Sequence, residues 1–234
     1  MTSDIRQDDG LGTRAPSLHG EARDPGERCG RDGRAPREGW RSRRYLPHFD
    51  GRNVIQTVTF RLHDSQPADV VARWQGEVDS DAARRELIAR YEDQGHGACW
   101  MKVPSIADAV QRALLFFDGK RYGLCAWCVM PNHVHAMVQT FDRFSLETVV
   151  HSWKSFSAHK ANRILQRTGR FWQPEYHDRY VRDARHFRAA VAYIENNPVK
   201  AGLTASPDTW PWSSALCPPG SAGVTPACPI AFDE

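Results

Sequence analysis

Apolar and polar residues alternate along "VIQTVTFRL" from Val54, with β-branched side chains at every second position, which predicts a first strand with one buried face. Helical spacing follows, and 67–94 and 105–117 read as helices. In the second, Ile106, Val110, Ala113, Leu114 and Phe117 recur at steps of three and four, while Ser105 is placed to cap with Asp108 three residues on. Two strands come next, 121–130 and 133–140, joined by Pro131-Asn132. "SLETVVHSWKSFSAHKANRILQR" predicts a long helix opened by Ser145. Its buried stripe is Leu146, Val149, Val150, Trp153, Phe156 and Ile164, and Lys160, Arg163 and Arg167 lie on another side. In "DARHFRAAVAYIENNPVKAGL", Asp183 is the N-cap, Phe187, Val191 and Ile194 point to the core, and Pro198 stops the helix near Asn197. This order of elements predicts an α+β sandwich, an antiparallel sheet with helices packed on it.

Within the second of the paired strands, "HVHAMV" sets His133 and His135 on one face, because side chains two apart project together, and sends Val134, Ala136 and Val138 to the other. On spacing alone the pair reads either as strand histidines bonded to neighbours or as two imidazole ligands awaiting a further donor. The apolar face is the one expected to meet a helix layer.

Composition narrows the setting. The 234 residues, 41% hydrophobic, suffice for one folded domain with tails. Residues 1–44 are rich in Arg, Gly, Pro and Asp and poor in aliphatic side chains, which predicts a disordered tail in which Arg41, Arg43 and Arg44 could add phosphate contacts. The domain is then expected over 45–216, with a second tail at 217–234. No run of eighteen apolar residues and no apolar signal segment occurs, so the expectation is an unexported, cytoplasmic protein without a membrane partner. A net charge of +3 permits a nucleic-acid partner without requiring one. The six cysteines show no framework spacing and read as reduced thiols; in "CAWC" the odd separation is expected to send Cys125 and Cys128 to opposite faces of a strand, against a redox pair or zinc knuckle.

Tyr193 lies at the edge of the last helix's buried stripe, with Asn197 four residues on and on the same face. Spacing alone allows packing with a C-cap, or a functional pair. "VMPNHVHAMV", followed some sixty residues later by "FWQPEYHDRYVRDARHFRAAVAYIENNPVKAGL" and then "WPWSS", resembles the REP-associated tyrosine transposases, members of the single-tyrosine HUH nuclease superfamily with the insertion-sequence transposases as cousins. The resemblance covers 43–214 and implies a ferredoxin-like, RRM-related α+β fold. It also implies a catalytic tyrosine at Tyr193 and a Mg²⁺ or Mn²⁺ site formed by His133 and His135 and completed by Asn197. The stretch 64–120 is longer than in compact members. Tyr176 and Tyr180 lack the Y-x-x-x-N context.

The implied reaction is transesterification: metal-dependent cleavage of single-stranded DNA beside hairpins such as repetitive extragenic palindromes, a 5′-phosphotyrosine intermediate, and strand transfer. Candidate phosphate contacts are Lys154, Lys160, Arg163, Arg167, Arg170, Arg179 and Lys200, with Trp172 or Phe171 as a stacking platform. The expected partner is single-stranded or hairpin DNA, bound by a monomer in preference to a homodimer. Two other readings remain: a hairpin-DNA-binding protein inactive in cleavage, and a metal-dependent hydrolase in which Tyr193 only positions substrate.

Overall fold

In a computed structural model of the chain, residues 40–43, 46–49, 51, 53–65 and 95–216 are described. Four strands form the main sheet: β3 (Ile55–Arg61), β4 (Tyr122–Val129), β5 (His133–Thr140) and β6 (His177–Tyr180). Their spatial order is β4-β5-β3-β6 and every pairing is antiparallel. Counted along the chain from β3, that is the ferredoxin-like order, with the first strand central. A separate hairpin precedes it, β1 (Trp40–Arg43) with β2 (Leu46–Phe49), so regular structure begins inside the stretch whose composition predicted a tail. The helix expected over 67–94 lies outside the described residues.

Among the described residues three α-helices pack on the sheet: α1 (Pro104–Leu115), α2 (Leu146–Ile164) and α3 (Ala184–Lys200). Ser145 opens α2 as expected, its hydroxyl accepting the Thr148 N–H, and Asp183 opens α3 by accepting the His186 N–H. Ser105 does not cap α1. Pro104 takes the first turn, where its missing N–H costs nothing, and Asp108 instead accepts from the Trp212 indole at 2.8 Å.

Pro198 does not stop α3, which runs on to Lys200. Proline cannot donate to the Ile194 carbonyl four residues back. The Asn197 amide Nδ2 reaches that carbonyl at 3.4 Å and donates to the Tyr193 carbonyl at 2.8 Å, so a side chain covers part of the gap.

The alternation of β3 and β5 divides the interior in two. Val58, Phe60, Leu62, Val134, Ala136 and Val138 face α1 and α2. There Trp153 lies over Phe60 with ring centroids 6.3 Å apart, and its indole donates to the Tyr122 hydroxyl, which in turn donates to the Leu114 carbonyl at 2.6 Å. Phe156 and Ile164, expected in the same stripe, are exposed; Ser157 and Ala161 take the inward positions on the last turns of α2. On the other face a smaller cluster of Met137, Ala126, Cys128 and Ile194 meets α3.

A bulge between Leu124 and Ala126 resets the alternation of β4, so Cys125 and Cys128 both join the α3-side cluster, and the expectation of opposite faces fails. Cys128 carries a free thiol, whereas Cys125 is disulfide-bonded, against the expectation of reduced thiols throughout. Both edges of the sheet are covered. Val129 and Trp127 on β4 bond to Trp212 and Ser214, and at β6 the Asp178 carboxylate accepts from the Phe49 N–H and the His48 imidazole.

Candidate active site

Strand register brings the site's groups together. Thr59 on the central strand pairs with His135 on one side and His177 on the other, and Arg61 pairs with His133. All five point to the α3 side, because they alternate with the residues of the α1/α2 core. α3 lies across this face and carries Tyr193 over it.

His133 and His135 are buried, with their Nε2 atoms 2.9 Å apart. Two bonds of roughly 2.1 Å meeting at a right angle span about that distance, so the pair matches two imidazoles converging on one cation. Outer hydrogen bonds set the tautomers. Asn132 donates its Nδ2 to the His96 carbonyl at 3.0 Å, which leaves its Oδ1 to accept from His133 Nδ1 at 2.7 Å and keeps the His133 Nε2 lone pair available. His135 Nδ1 lies 2.9 Å from the Thr59 hydroxyl, a group that both donates and accepts, so His135 can free Nε2 as well. Burial, the mutual repulsion of the pair and the charge of Arg61 hold His133 well below the usual histidine range. His135 is pushed down to about 3 by burial, then by Arg61, Lys200 and His177. Both imidazoles are therefore neutral at pH 7, the form that binds metals.

Asn197 is fully buried, and with Nδ2 turned back on the helix carbonyls its Oδ1 has no hydrogen-bond partner. An orphaned buried acceptor costs about 1–3 kcal/mol, and a cation would relieve it. Among the described residues no group of three His, Cys, Asp or Glu side chains is placed to hold a metal, and this amide is a donor of another type beside the imidazoles. Two neutral imidazoles and an orphaned amide oxygen fit a divalent ion.

Tyr193 is 37% exposed, its ring edge-on to His135 at 5.6 Å between centroids, and the Lys200 ammonium sits 4.3 Å from the ring centre. The two other tyrosines of this region pack away from the histidine pair: Tyr176 lies against His48 and Tyr180 against Phe49. Beside Tyr193 opens a cleft of about 360 Å³ between β3, β6 and α3. Arg61, His177, Arg179 and His186 line it, and among the described residues no carboxylate does.

The expected DNA contacts divide. Lys160, Arg163, Arg170, Arg179 and Lys200 are exposed, and of these Arg179 lies in the cleft and Lys200 beside Tyr193. Arg167 is half-buried, bonded to the Arg170 carbonyl and held near the Trp100 ring. Lys154 is not available as expected: its ammonium donates to the Gln173 and Pro174 carbonyls at 2.6 and 2.8 Å, and burial pushes it down to about 8.

Trp172 and Phe171 are not a stacking platform. Both are buried, Trp172 edge-on to Phe60 with its indole donating to Ser157. Sequence reasoning also passed over Arg61, His177 and His186; the alternation that selected His133 and His135 would select Arg61 and His177 once the strand register was known.

Residues 115–197 match the family described as Transposase IS200 like, a span that begins before β4 and ends on Asn197. A curated REP-associated tyrosine transposase of Escherichia coli (strain K12) is 28% identical over 92 residues, 38% of this chain and 52% of that protein, so the chain spans about half the length of this relative. A solved structure described as a REP-associated tyrosine transposase bound to a REP hairpin aligns with 80% of this chain and 90% of its own, at 17% identity and a TM-score of 0.48. The segment that carries the histidine pair, Tyr193 and Asn197 is thus similar to the IS200-like transposases, and the resemblance to REP-associated tyrosine transposases drawn from its motifs is borne out.

Proposed function

We propose that this chain cleaves and rejoins single-stranded DNA beside hairpins such as repetitive extragenic palindromes, with Tyr193 as the nucleophile. A divalent cation, Mg²⁺ or Mn²⁺, is held by His133, His135 and Asn197. The observation that carries the reading is the convergence of two neutral imidazoles, 2.9 Å apart, with a tyrosine on the overlying helix at the mouth of a cleft free of carboxylates.

A free phenol titrates at about 10, so forming its anion at pH 7 costs roughly 4 kcal/mol. Lys200, over the Tyr193 ring, is a cation beside the charge that develops on attack. The Tyr193 phenol gives up its proton, its oxygen attacks phosphorus in line and the bond to the 3′ oxygen breaks, leaving a 5′-phosphotyrosine and a 3′ oxygen that takes up a proton to become the 3′-hydroxyl. Attack of a 3′-hydroxyl on that ester reverses the exchange and joins strands without an external energy source. When bound, the cation polarises the scissile phosphate as a Lewis acid. Thr59 and Asn132 hold the two imidazoles in register, and Asn197 adds its orphaned oxygen. Lys160, Arg163, Arg170, Arg179 and Lys200 supply phosphate contacts.

No described helix is long and apolar enough to cross a membrane, and a cytoplasmic location fits a chromosomal substrate. The test is cleavage of a labelled hairpin with a single-stranded flank. Cleavage should require Mn²⁺ or Mg²⁺ and vanish in chelator and in His133→Ala/His135→Ala; undiminished cutting in either case would remove the metal from the mechanism.

A further inference from the structure

The cleft beside Tyr193 is longer than attack on one phosphate requires, and its charge is of one sign. Arg61 lies at the end shared with the histidine pair: it is opposite His133 in the strand register and depresses both imidazoles through its charge. Arg179 is at the other end, opposite Thr57 and close enough to His186 to lower that imidazole as well. Thr57 and Arg61 are four residues apart on β3, so the two arginine backbones stand roughly 14 Å apart at about 3.4 Å per residue. α3 spans the same length, with His186 over the Arg179 end and Tyr193 over the His135 end.

His186 Nδ1 accepts the Arg182 N–H at 3.2 Å, which leaves Nε2 as a donor. Between the ends the helix offers Ala189 and Ala190, whose methyl groups are too small to fill the space. A volume of about 360 Å³ falls at the low end of the roughly 300–1,000 Å³ usual for small-molecule sites, the size of one nucleotide and far short of a hairpin.

We infer that this cleft is a nucleotide subsite for the single strand: Arg61 takes the phosphate at Tyr193, Arg179 with His186 takes a phosphate further along, and the intervening sugar and base lie under Ala190. The inference rests on the single-stranded DNA reading above and adds to it a direction for the strand, along α3 from Tyr193 towards His186. Guanidinium groups suit this role because they bind phosphate oxygens through paired, charge-assisted hydrogen bonds.

The test measures binding of the full-length protein, in chelator, to hairpins with a single-stranded flank that carries one neutral methylphosphonate, moved one position at a time. The wild type should lose about tenfold in affinity at two distinct positions. Arg61→Gln should abolish the loss at the position nearer the cleaved bond, to below about twofold, and Arg179→Gln the loss at the other. The same penalty profile in all three proteins would overturn the subsite. Arg61 is buried; should Arg61→Gln fail to fold, the exposed Arg179 decides, and an unchanged profile in Arg179→Gln overturns the proposal. Covalent adduct formation by the wild type on the unmodified strand is scored separately. Adduct without coupling rejects the subsite alone, and coupling without adduct rejects the nuclease reading and leaves the subsite standing.

Discussion

The two faces of the sheet are built from the same strands and differ in almost everything else. Under α1 and α2, the alternate residues Val58, Phe60, Val134, Ala136 and Val138 of β3 and β5 are apolar, and the polar atoms of Trp153, Tyr122 and Trp172 all find partners. Under α3 the alternate residues include Thr59, Arg61, His133 and His135, two of them imidazoles held neutral, facing a helix with an unpartnered amide oxygen. One face minimises its own free energy. The other keeps polar groups that, on the proposed reading, meet a cation and a phosphate from outside the chain, the kind of departure from a fully satisfied interior expected at functional sites.

The largest separation between the faces should appear in stability. Trp153→Ala removes a buried indole from the α2 side and should cost about 3–5 kcal/mol in chemical denaturation. Next in size is the response to metal. Mn²⁺ at about one hundred times its Kd should stabilise the wild type by about 2.7 kcal/mol and the His133→Ala/His135→Ala variant not at all, read as the shift in Tm; equal shifts in both proteins would place the ion elsewhere.

A smaller effect follows from pH, and here histidines on the two sides of the sheet act in opposite directions. His133 and His135 have depressed values in the folded state, so the unfolded chain takes up protons first. Stability should fall as pH drops below about 6.5, by at most roughly 1.4 kcal/mol per unit for each imidazole, and the double alanine variant should flatten this arm. His48 is raised by its hydrogen bond to Asp178 at 2.5 Å, against the effect of burial. Its contribution is present below 6.5 and lost as pH rises through the higher folded value, so His48→Gln should flatten the alkaline arm. Denaturation midpoints across pH separate the two. The smallest effect concerns the chain ahead of β1. Removing residues 1–39 should leave Tm nearly unchanged, and any loss of DNA affinity should shrink with salt, because each phosphate contact to a single strand adds about −0.7 to the log–log slope.

What was legible in the sequence follows the same division. Period-two alternation placed Val134, Ala136 and Val138 on the core face and His133 and His135 on the other without any structure, and Ser145 and Asp183 announced their helices through side chains that bond within the next turn. The features that escaped depend on partners far along the chain or on competition between neighbours. Pro198 stays helical because Asn197 covers the carbonyl it abandons, and Cys125 turns with Cys128 because a bulge falls between Leu124 and Ala126. Trp172 in a short connecting stretch is equally a stacking platform or core until Phe60 and Ser157 are seen beside it, and Lys154 looks like a surface cation until the 173–174 carbonyls close on it. Arg61 was passed over because a lone arginine ending a strand gives no sign of its neighbours until register sets it opposite His133.

The central claim is that the phenol of Tyr193 is the group that breaks DNA, and covalent capture measures this most directly. Wild type incubated with Mn²⁺ and a hairpin bearing a labelled single-stranded flank should yield a denaturation-resistant protein–DNA adduct whose peptide maps to Tyr193. Tyr193→Phe keeps the ring and removes one oxygen from a residue that is 37% exposed, so it should fold and bind the same DNA, with stability within about 1 kcal/mol of wild type, yet form no adduct. Tyr176→Phe and Tyr180→Phe should still form it. An adduct that persists in Tyr193→Phe, or that maps to Tyr176, would contradict the account.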